Sequence, residues 1–241
     1  DVDADDLSYS VIGGNEIVAS LSGRDITFSS PENYNGSEEF TVSVSDGEYT
    51  DSQSISVTVN AVNDAPTANA AAGETNEDQS VVVSLSGDDI DGDNLTFSLE
   101  TDATNGSVTL DGSLATYSPD ANYNGDDSFT FSVSDGEFSA SASVSVSVVA
   151  VNDTPVLASV SDVSFDEDGV GSASLSADDV DGDELEFSIT GGSDISASLT
   201  GSSVSFSAPG NYNGSESFIV SVTDGEYTDS QSISVTVNAV N

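Results

Sequence analysis

The sequence predicts an all-β chain of tandem seven-stranded antiparallel Greek-key β-sandwiches, the first of them truncated. Three observations carry that prediction. Apolar residues alternate with Ser or Thr at 40–45, 55–59, 81–85, 95–99, 129–133, 144–149, 218–222 and 233–237, the pattern of a strand with one face buried and one wet. Turn pairs separate these runs: Asn35-Gly36, Asp46-Gly47, Asp111-Gly112, Asp135-Gly136, Asn213-Gly214 and Asp224-Gly225. The stretch Val62-Asn63-Asp64-Ala65-Pro66 recurs 89 residues later as Val151-Asn152-Asp153-Thr154-Pro155, and Ala239-Val240-Asn241 begins it again. A polar, proline-ended joint at a fixed period marks tandem domains.

Taken in order, the repeats are 1–62, 63–151 and 152–241. In the second, seven strands are predicted at about 67–74, 79–86, 94–99, 106–110, 114–118, 128–134 and 138–150. Seven short strands in under 90 residues read as an immunoglobulin-like sandwich, without the Cys and Trp of true immunoglobulin domains. No sustained 3.6-residue period appears, so helix content is expected to be very low. The first repeat begins late. Asp1 to Leu7 aligns with Asp179 to Leu185, and the two repeats then run without a gap to Asn63 and Asn241. The counterparts of residues 154–178, the first two strands, are therefore missing from it. Two readings stand: the segment is cut from a longer array, or another chain supplies those strands.

Charge narrows the function classes. The chain has 44 acidic residues against one basic residue, Arg24, for a net charge of −43. Nothing here neutralises phosphates, so nucleic acid is excluded as a partner, and an anionic membrane surface would repel the chain. No apolar stretch approaches the length of a membrane span, and no basic region with an apolar core opens the sequence. Any signal or anchor is expected outside this segment, and direct membrane insertion is not expected. There is no Cys, hence no disulfide and no thiolate metal site. Lacking His, Cys and Lys as well, the chain cannot build the usual nucleophile–base pairs, and an enzyme is not expected.

The acids fall in register. Each repeat has an Asp-x-Asp-x-Asp loop: Asp1, Asp3 and Asp5; Asp89, Asp91 and Asp93; Asp179, Asp181 and Asp183. Like charges at about 4 Å cost about 1 kcal/mol in water and about 4 at an effective dielectric of 20, so such loops need a cation. All-oxygen ligands with flexible geometry suit Ca²⁺, although the glycine spacing is not that of an EF-hand. Further acids recur: Glu77 and Asp78, with Glu167, in the turn after the first strand; Glu38, Asp127 and Glu216 two residues before a strand-opening Phe; Asp46, Asp135 and Asp224 at the end of the sixth strand. Strand alternation brings Glu77, Asp78 and Asp127 to the exit end of the second repeat. There they would meet Asn152 and Asp153 of the linker and Asp179, Asp181 and Asp224 of the third repeat, enough oxygen for two or three Ca²⁺ ions. Asn63 and Asp64, with Asp89, Asp91 and Asp135, form the equivalent first joint, which lacks a Glu77 counterpart and is expected to hold fewer ions. Tyr34, Tyr123 and Tyr212 in Asn-Tyr-Asn-Gly are expected to plug the sandwich end rather than stack on a sugar. Arg24, replaced by Ser202 in the third repeat, reads as incidental.

On these residues the chain resembles the cadherin-like tandem repeats of large bacterial surface and secreted (RTX-type) adhesins, over its whole length. Asn63-Asp64-Ala65-Pro66 and Asn152-Asp153-Thr154-Pro155 match the family's linker. Asp89/Asp91 and Asp179/Asp181 match its Asp-x-Asp, Glu77 and Glu167 its first-turn Glu, and Asp135 and Asp224 its Asp ending the sixth strand. Ala61 and Ala150 stand where the family opens its linker with an acid, and Asn-Tyr-Asn-Gly replaces its Asp-Arg-Glu. The resemblance implies Ca²⁺ bound between neighbouring repeats in an extracellular or cell-surface extender. It also leaves open a calcium-dependent module for polysaccharide or like domains, or a filament subunit.

Overall fold

The computed structural model describes residues 6–241, and every regular element in them is a β-strand. The first repeat has β1 (Ser8–Gly13), β2 (Val18–Ser22), β3 (Asp25–Ser29), β4 (Gly36–Ser45) and β5 (Thr50–Val59). The second has β6 (Thr67–Asn69), β7 (Ala71–Asn76), β8 (Val81–Ser84), β9 (Ser86–Asp88), β10 (Thr96–Thr101), β11 (Gly106–Asp111), β12 (Leu114–Pro119), β13 (Gly125–Ser134) and β14 (Ser139–Val149). The third has β15 (Val156–Leu157), β16 (Val163–Asp166), β17 (Val170–Ser174), β18 (Ala177–Asp178), β19 (Glu186–Gly191), β20 (Ser196–Thr200), β21 (Ser203–Ser207), β22 (Gly214–Thr223) and β23 (Thr228–Asn238).

Each complete repeat faces a four-stranded sheet with a three-stranded one: β10-β13-β14-β7 over β11-β12-β8, and β16-β23-β22-β19 over β17-β21-β20. The alternation predicts this. In β22, Phe218, Val220 and Val222 are buried, while Ser217 before them and Ile219 among them are exposed. The tandem all-β sandwich is as expected, with two differences. The first two predicted strands are each split, because the chain changes sheets midway. β6 pairs with β9 and β15 with β18, whereas β7 and β16 join the larger sheet and β8 and β17 the smaller. And β16 runs parallel to β23, with Val163 beside Val235, so the sheets are not wholly antiparallel.

Among the described residues the first repeat pairs β1-β4-β5 in one sheet and β2-β3 in the other. Its core is small. Of its described large apolar residues, Ile17 and Phe40 are buried, while the third repeat buries a cluster from Leu157 to Val237. Phe28 still meets Phe40 edge-on at 4.9 Å, as Phe206 meets Phe218 at 5.2 Å. Arg24 is less incidental than its position suggested: its guanidinium lies 5.8 Å from the Tyr9 ring centre, within cation–π reach.

The chain divides into two compact units. One runs through Thr75 and takes in Gln79–Asp120 and Asp126–Ser147; the other comprises Asn76–Asp78, Ala121–Gly125 and Val148–Asn241. Each joint therefore lies whole within one unit.

Candidate metal centres at the joints

At the second joint the linker is held residue by residue. Glu77, in the turn after β7, is 4% exposed. Its backbone N–H donates to Val149 C=O at 2.9 Å, and its Oε1 accepts the Val151 N–H at 2.5 Å. Asn152 Nδ2 donates to Asp224 Oδ2 at 3.0 Å, and the Asp153 N–H donates to Asp181 Oδ2 at 2.7 Å. At the first joint Asn63 donates to Asp135 at 2.9 Å and the Asp64 N–H to Asp91 at 2.7 Å. No residue stands there for Glu77 among those described, and Val62 is 78% exposed where Val151 is 41%.

The Asp-x-Asp-x-Asp loops close on themselves. Ligand oxygens of Asp89, Asp91 and Asp93 lie within 4.8 Å of one another, as do those of Asp179, Asp181 and Asp183. A left-handed glycine lets each loop turn back: Gly92 at φ 81° and Gly182 at φ 77°. Asp89 Oδ1 accepts the N–H groups of Asp91 and Asp93 at 2.9 and 3.2 Å, and Asp179 Oδ1 that of Asp183 at 3.3 Å. The other oxygen of each is buried with no hydrogen-bond partner. Among the described residues four buried side-chain oxygens are in that state: Asp89 Oδ2, Glu77 Oε2, Asp153 Oδ2 and Asp179 Oδ2. All four belong to the joints. Burial raises the Asp153 carboxyl above the usual carboxylate range, reinforced by the charges of Asp181, Asp78, Glu77 and Asp179.

Asp135 and Asp224 close their Asp-Gly-Glu turns as well. Each Oδ1 takes two backbone N–H groups, from Glu137 and Phe138 at 2.7 Å, and from Glu226 and Tyr227 at 2.6 and 2.7 Å. Burial acts to raise both carboxyls, but the donors outweigh it and hold them below the usual range. Asp46 makes the same turn with Glu48 and Tyr49 at 2.9 and 2.7 Å. Asp1 and Asp3, its expected partners, lie outside the described residues. Glu167 repeats the Glu77 anchor, accepting the Val240 N–H at 2.7 Å. Asp78 Oδ1 takes the Asn122 N–H at 3.0 Å.

Three expected ligands have another occupation. Glu38 accepts the N–H groups of Asn15, Glu16 and Ile17 at 2.8–3.0 Å and the Tyr34 hydroxyl at 3.2 Å. Glu216 accepts those of Ser193, Asp194 and Ile195 at 2.8–3.1 Å. Asp127, expected beside Glu77, instead accepts from Thr104, Asn105 and the Tyr117 hydroxyl at 2.9–3.1 Å. Each staples a turn. The Asn-Tyr-Asn-Gly tyrosines lie across their glycines: a Cβ on Gly36 or Gly214 would stand 2.9 or 2.8 Å from the hydroxyl of Tyr34 or Tyr212.

Asp229, Gln231 and Asp162, which carry no mark in the acid pattern, hold the first strand of the third repeat. Asp229 accepts the Leu157 N–H at 2.9 Å, Gln231 the Val160 N–H at 3.0 Å, and Asp162 the Ser234 N–H at 2.7 Å. The signal for two of them is Asp-Ser-Gln-Ser-Ile, present verbatim at 51–55 and 229–233.

The sequence model of the bacterial Ig domain family matches residues 1–58, 63–148 and 152–236. No curated protein sequence matches the chain. Among solved structures, the first three extracellular repeats of mouse protocadherin-24 are similar at a TM-score of 0.53, with 16% identity over 96% of this chain and 90% of that one. Drosophila N-cadherin repeats 1–4 give 0.41, with 15% identity over 98% and 68%. An endo-fucoidan hydrolase of glycoside hydrolase family 107 gives 0.34, with 21% identity over 98% of this chain, which spans 39% of that enzyme. The protocadherin likeness speaks to the fold. Among the described residues no helix is long and apolar enough to cross a membrane.

Proposed function

Because the chain belongs to the bacterial Ig domain family and carries its domains in tandem, we propose that it is an extender segment of an extracellular adhesin, stiffened by Ca²⁺ at its joints. Tandem Ig-like and cadherin-like domains are typically non-enzymatic modules of surface proteins, and this reading stays within that class. The observation that carries it is the set of four buried, unpartnered carboxylate oxygens, all in the joints. A buried carboxylate oxygen without a donor or cation is costly, and nothing but Arg24 is available to neutralise 44 acids.

The donor set fits the ion. It is all oxygen, hard and anionic, drawn from loops rather than from a rigid cage, which suits Ca²⁺ over Mg²⁺. At the second joint Glu77, Asp153, Asp179 and Asp181 would hold it, with Asp78 and Asp183 at the margin. Asp89, Asp91, Asp93 and Asp64 would hold it at the first. When bound, Ca²⁺ supplies positive charge where like charges converge. The chain's own contribution is to place the acids: Glu77 ties the outgoing linker to its repeat, while Asp181 and Asp224 tie it to the next. Repulsion among these acids favours hinging when the cation is removed. Extracellular modules of this kind bind Ca²⁺ at about 10⁻⁴–10⁻³ M, so millimolar calcium would saturate them.

Small-angle scattering in calcium and then in EDTA tests the reading. A maximum dimension that shortens and a pair-distance distribution that broadens on chelation are expected. An identical profile in both, with an unchanged melting temperature, would sink it.

A further inference from the structure

The first and last strands of the third repeat are joined at one nearly constant spacing. The Leu157 N–H donates to Asp229 Oδ2 at 2.9 Å across 72 residues of sequence. The Val160 N–H donates to Gln231 Oε1 at 3.0 Å, and Gln231 Nε2 donates back to Val160 C=O at 2.6 Å, both across 71. The Ser234 N–H donates to Asp162 Oδ1 at 2.7 Å across 72. There β16 begins, parallel to β23, with Val163 beside Val235 and Asp166 beside Asn238. Past its end the Glu167 N–H donates to Asn238 C=O at 2.9 Å, and Glu167 accepts the Val240 N–H at 2.7 Å across 73.

Residues 158–162 belong to no strand, yet the pairing does not lapse there. Asp229, Gln231 and Asp162 supply with side chains the bonds that a backbone ladder would supply, and they keep its register. The short ladder between β16 and β23 is thereby extended toward the entry of the repeat. Its direction matters. The chain enters through the first strand and leaves through the last, so tension draws the first toward its N-terminus and the last toward its C-terminus. In a parallel pair those pulls are opposed along one axis. The evenly spaced bonds are then loaded together in shear instead of opening one at a time, and each added bond raises the load that the junction holds.

The second repeat is built without the extension. Ala140 and Ala142 stand where Asp229 and Gln231 do, and Ala72 stands where Asp162 does, counting back from the matched Glu77 and Glu167. An alanine side chain offers no acceptor to a backbone N–H. The exit end is kept: β7 lies beside β14, and the Glu77 N–H donates to Val149 C=O at 2.9 Å. Upstream, Asn69 turns its side chain to Ser86 and Asp88 of β9 at 3.4 and 3.0 Å, a strand that does not leave the repeat.

We propose that Asp162, Asp229 and Gln231 make the third repeat a force-bearing clamp, and that the second repeat, lacking all three, unfolds first under tension. The two form a graded pair, in which one repeat yields and lengthens the chain while the other keeps the load. The clamp rests on the extender reading in one respect, that the chain is pulled from end to end; it needs no calcium.

The test holds the full chain at constant force in EDTA, between cysteines added at its two ends, the sequence having none of its own. The second and third repeats release longer steps than the first, and two distinct waiting times are expected for them. Forced unfolding follows the unfolding rate, and the triple variant Asp162→Ala/Asp229→Ala/Gln231→Ala removes four hydrogen bonds from the clamp. It should shorten the longer waiting time at least about ten-fold and leave the shorter one unchanged. A full-length step shows that the variant has folded. Should it not fold, Gln231→Ala alone removes two of the four bonds and should shorten the same waiting time by a smaller factor. A single waiting time for both repeats in the wild type, a variant that shortens the shorter time, or one that shortens neither would overturn the clamp. The extender reading is judged apart, by scattering in calcium and in EDTA. An unchanged profile there would remove the stiffening and leave the order of unfolding as it is.

Discussion

Glu77 Oε1 accepts the Val151 N–H at 2.5 Å across 74 residues of sequence, and Glu167 does the same for Val240 at 2.7 Å. The first turn of a repeat thus grips the linker that leaves it. Glu77→Ala should raise hydrogen exchange at Val151 in calcium and in EDTA alike. Its cost should differ between them. In calcium the lost bond to a charged acceptor should cost about 1.5–3 kcal/mol. In EDTA the cost should shrink, because the substitution also removes a buried carboxylate with an unpartnered oxygen. Glu77→Gln keeps an acceptor for Val151 and should spare the exchange protection while weakening the calcium response. Equal costs for Ala in both buffers would contradict the double role.

Asp153 allows a sharper test, a change of sign. Burial, then Asp181, Asp78, Glu77 and Asp179, raise its carboxyl above the usual range, so the folded joint disfavours its charge. Asp153→Asn should therefore raise the melting temperature in EDTA, where it relieves repulsion, and lower it in calcium, where it removes a ligand. Wild-type stabilisation by calcium should approach about 2.7 kcal/mol per site at a hundred-fold excess over Kd. Asp64→Asn at the first joint should shift both temperatures less, because no Glu77 counterpart faces it. Shifts of one sign in both buffers, read by calorimetry, would rule out a cation at Asp153.

Strand positions and the acidic loops are legible in the sequence because both depend on local spacing. Alternation fixes which residues of β22 face inward, and Asp179, Asp181 and Asp183 converge because a five-residue loop with Gly182 leaves them nowhere else to go. The splitting of the first strand into β6 and β7 is not legible, since alternation continues through a change of sheet. Glu38, Asp127 and Glu216 were expected at the ions on strand register alone. What decides their role is a turn some 22 residues away whose N–H groups converge on them. The Gly13-Gly14 and Gly191-Gly192 pairs beside two of those turns are the only local sign of it. Asp229 and Gln231 are hidden for a related reason: their partners lie about 70 residues upstream, and nothing in a strand's own pattern marks a side chain that binds another strand's backbone.

Gly192 shows how tightly one such turn is built. Its φ is +73°, and a Cβ there would stand 2.3 Å from Ile195 C=O and 2.5 Å from Phe218 Cζ. Gly192→Ala should cost about 1–3 kcal/mol for the clash, beyond the left-handed strain of about 1–2 kcal/mol. Gly201, at φ +59° with nothing within 4 Å, supplies the control, and its Ala variant should show the strain alone. Urea unfolding of the two variants side by side measures the difference, and equal destabilisation would mean that Phe218 yields.

Glu216 staples that same turn, and its protonation should loosen the third repeat. The N–H of Asp194, then that of Ser193, lower its carboxyl below the ordinary value of 4.5; burial opposes them and the Ile195 N–H adds to them. A group depressed in the folded state contributes stability that is fully present above its unfolded pKa and is lost as pH falls through the folded one. The stability gap between wild type and Glu216→Gln should therefore be constant above about pH 4.5 and close below it. Calcium must be absent from this titration, so that protonation of the joints adds no binding term of its own. Denaturant midpoints for both proteins, taken from pH 6 downward, measure the gap. A gap that widened on acidification would mean that Glu216 is held protonated in the fold, and its three N–H donors could not then be the reason for its place there.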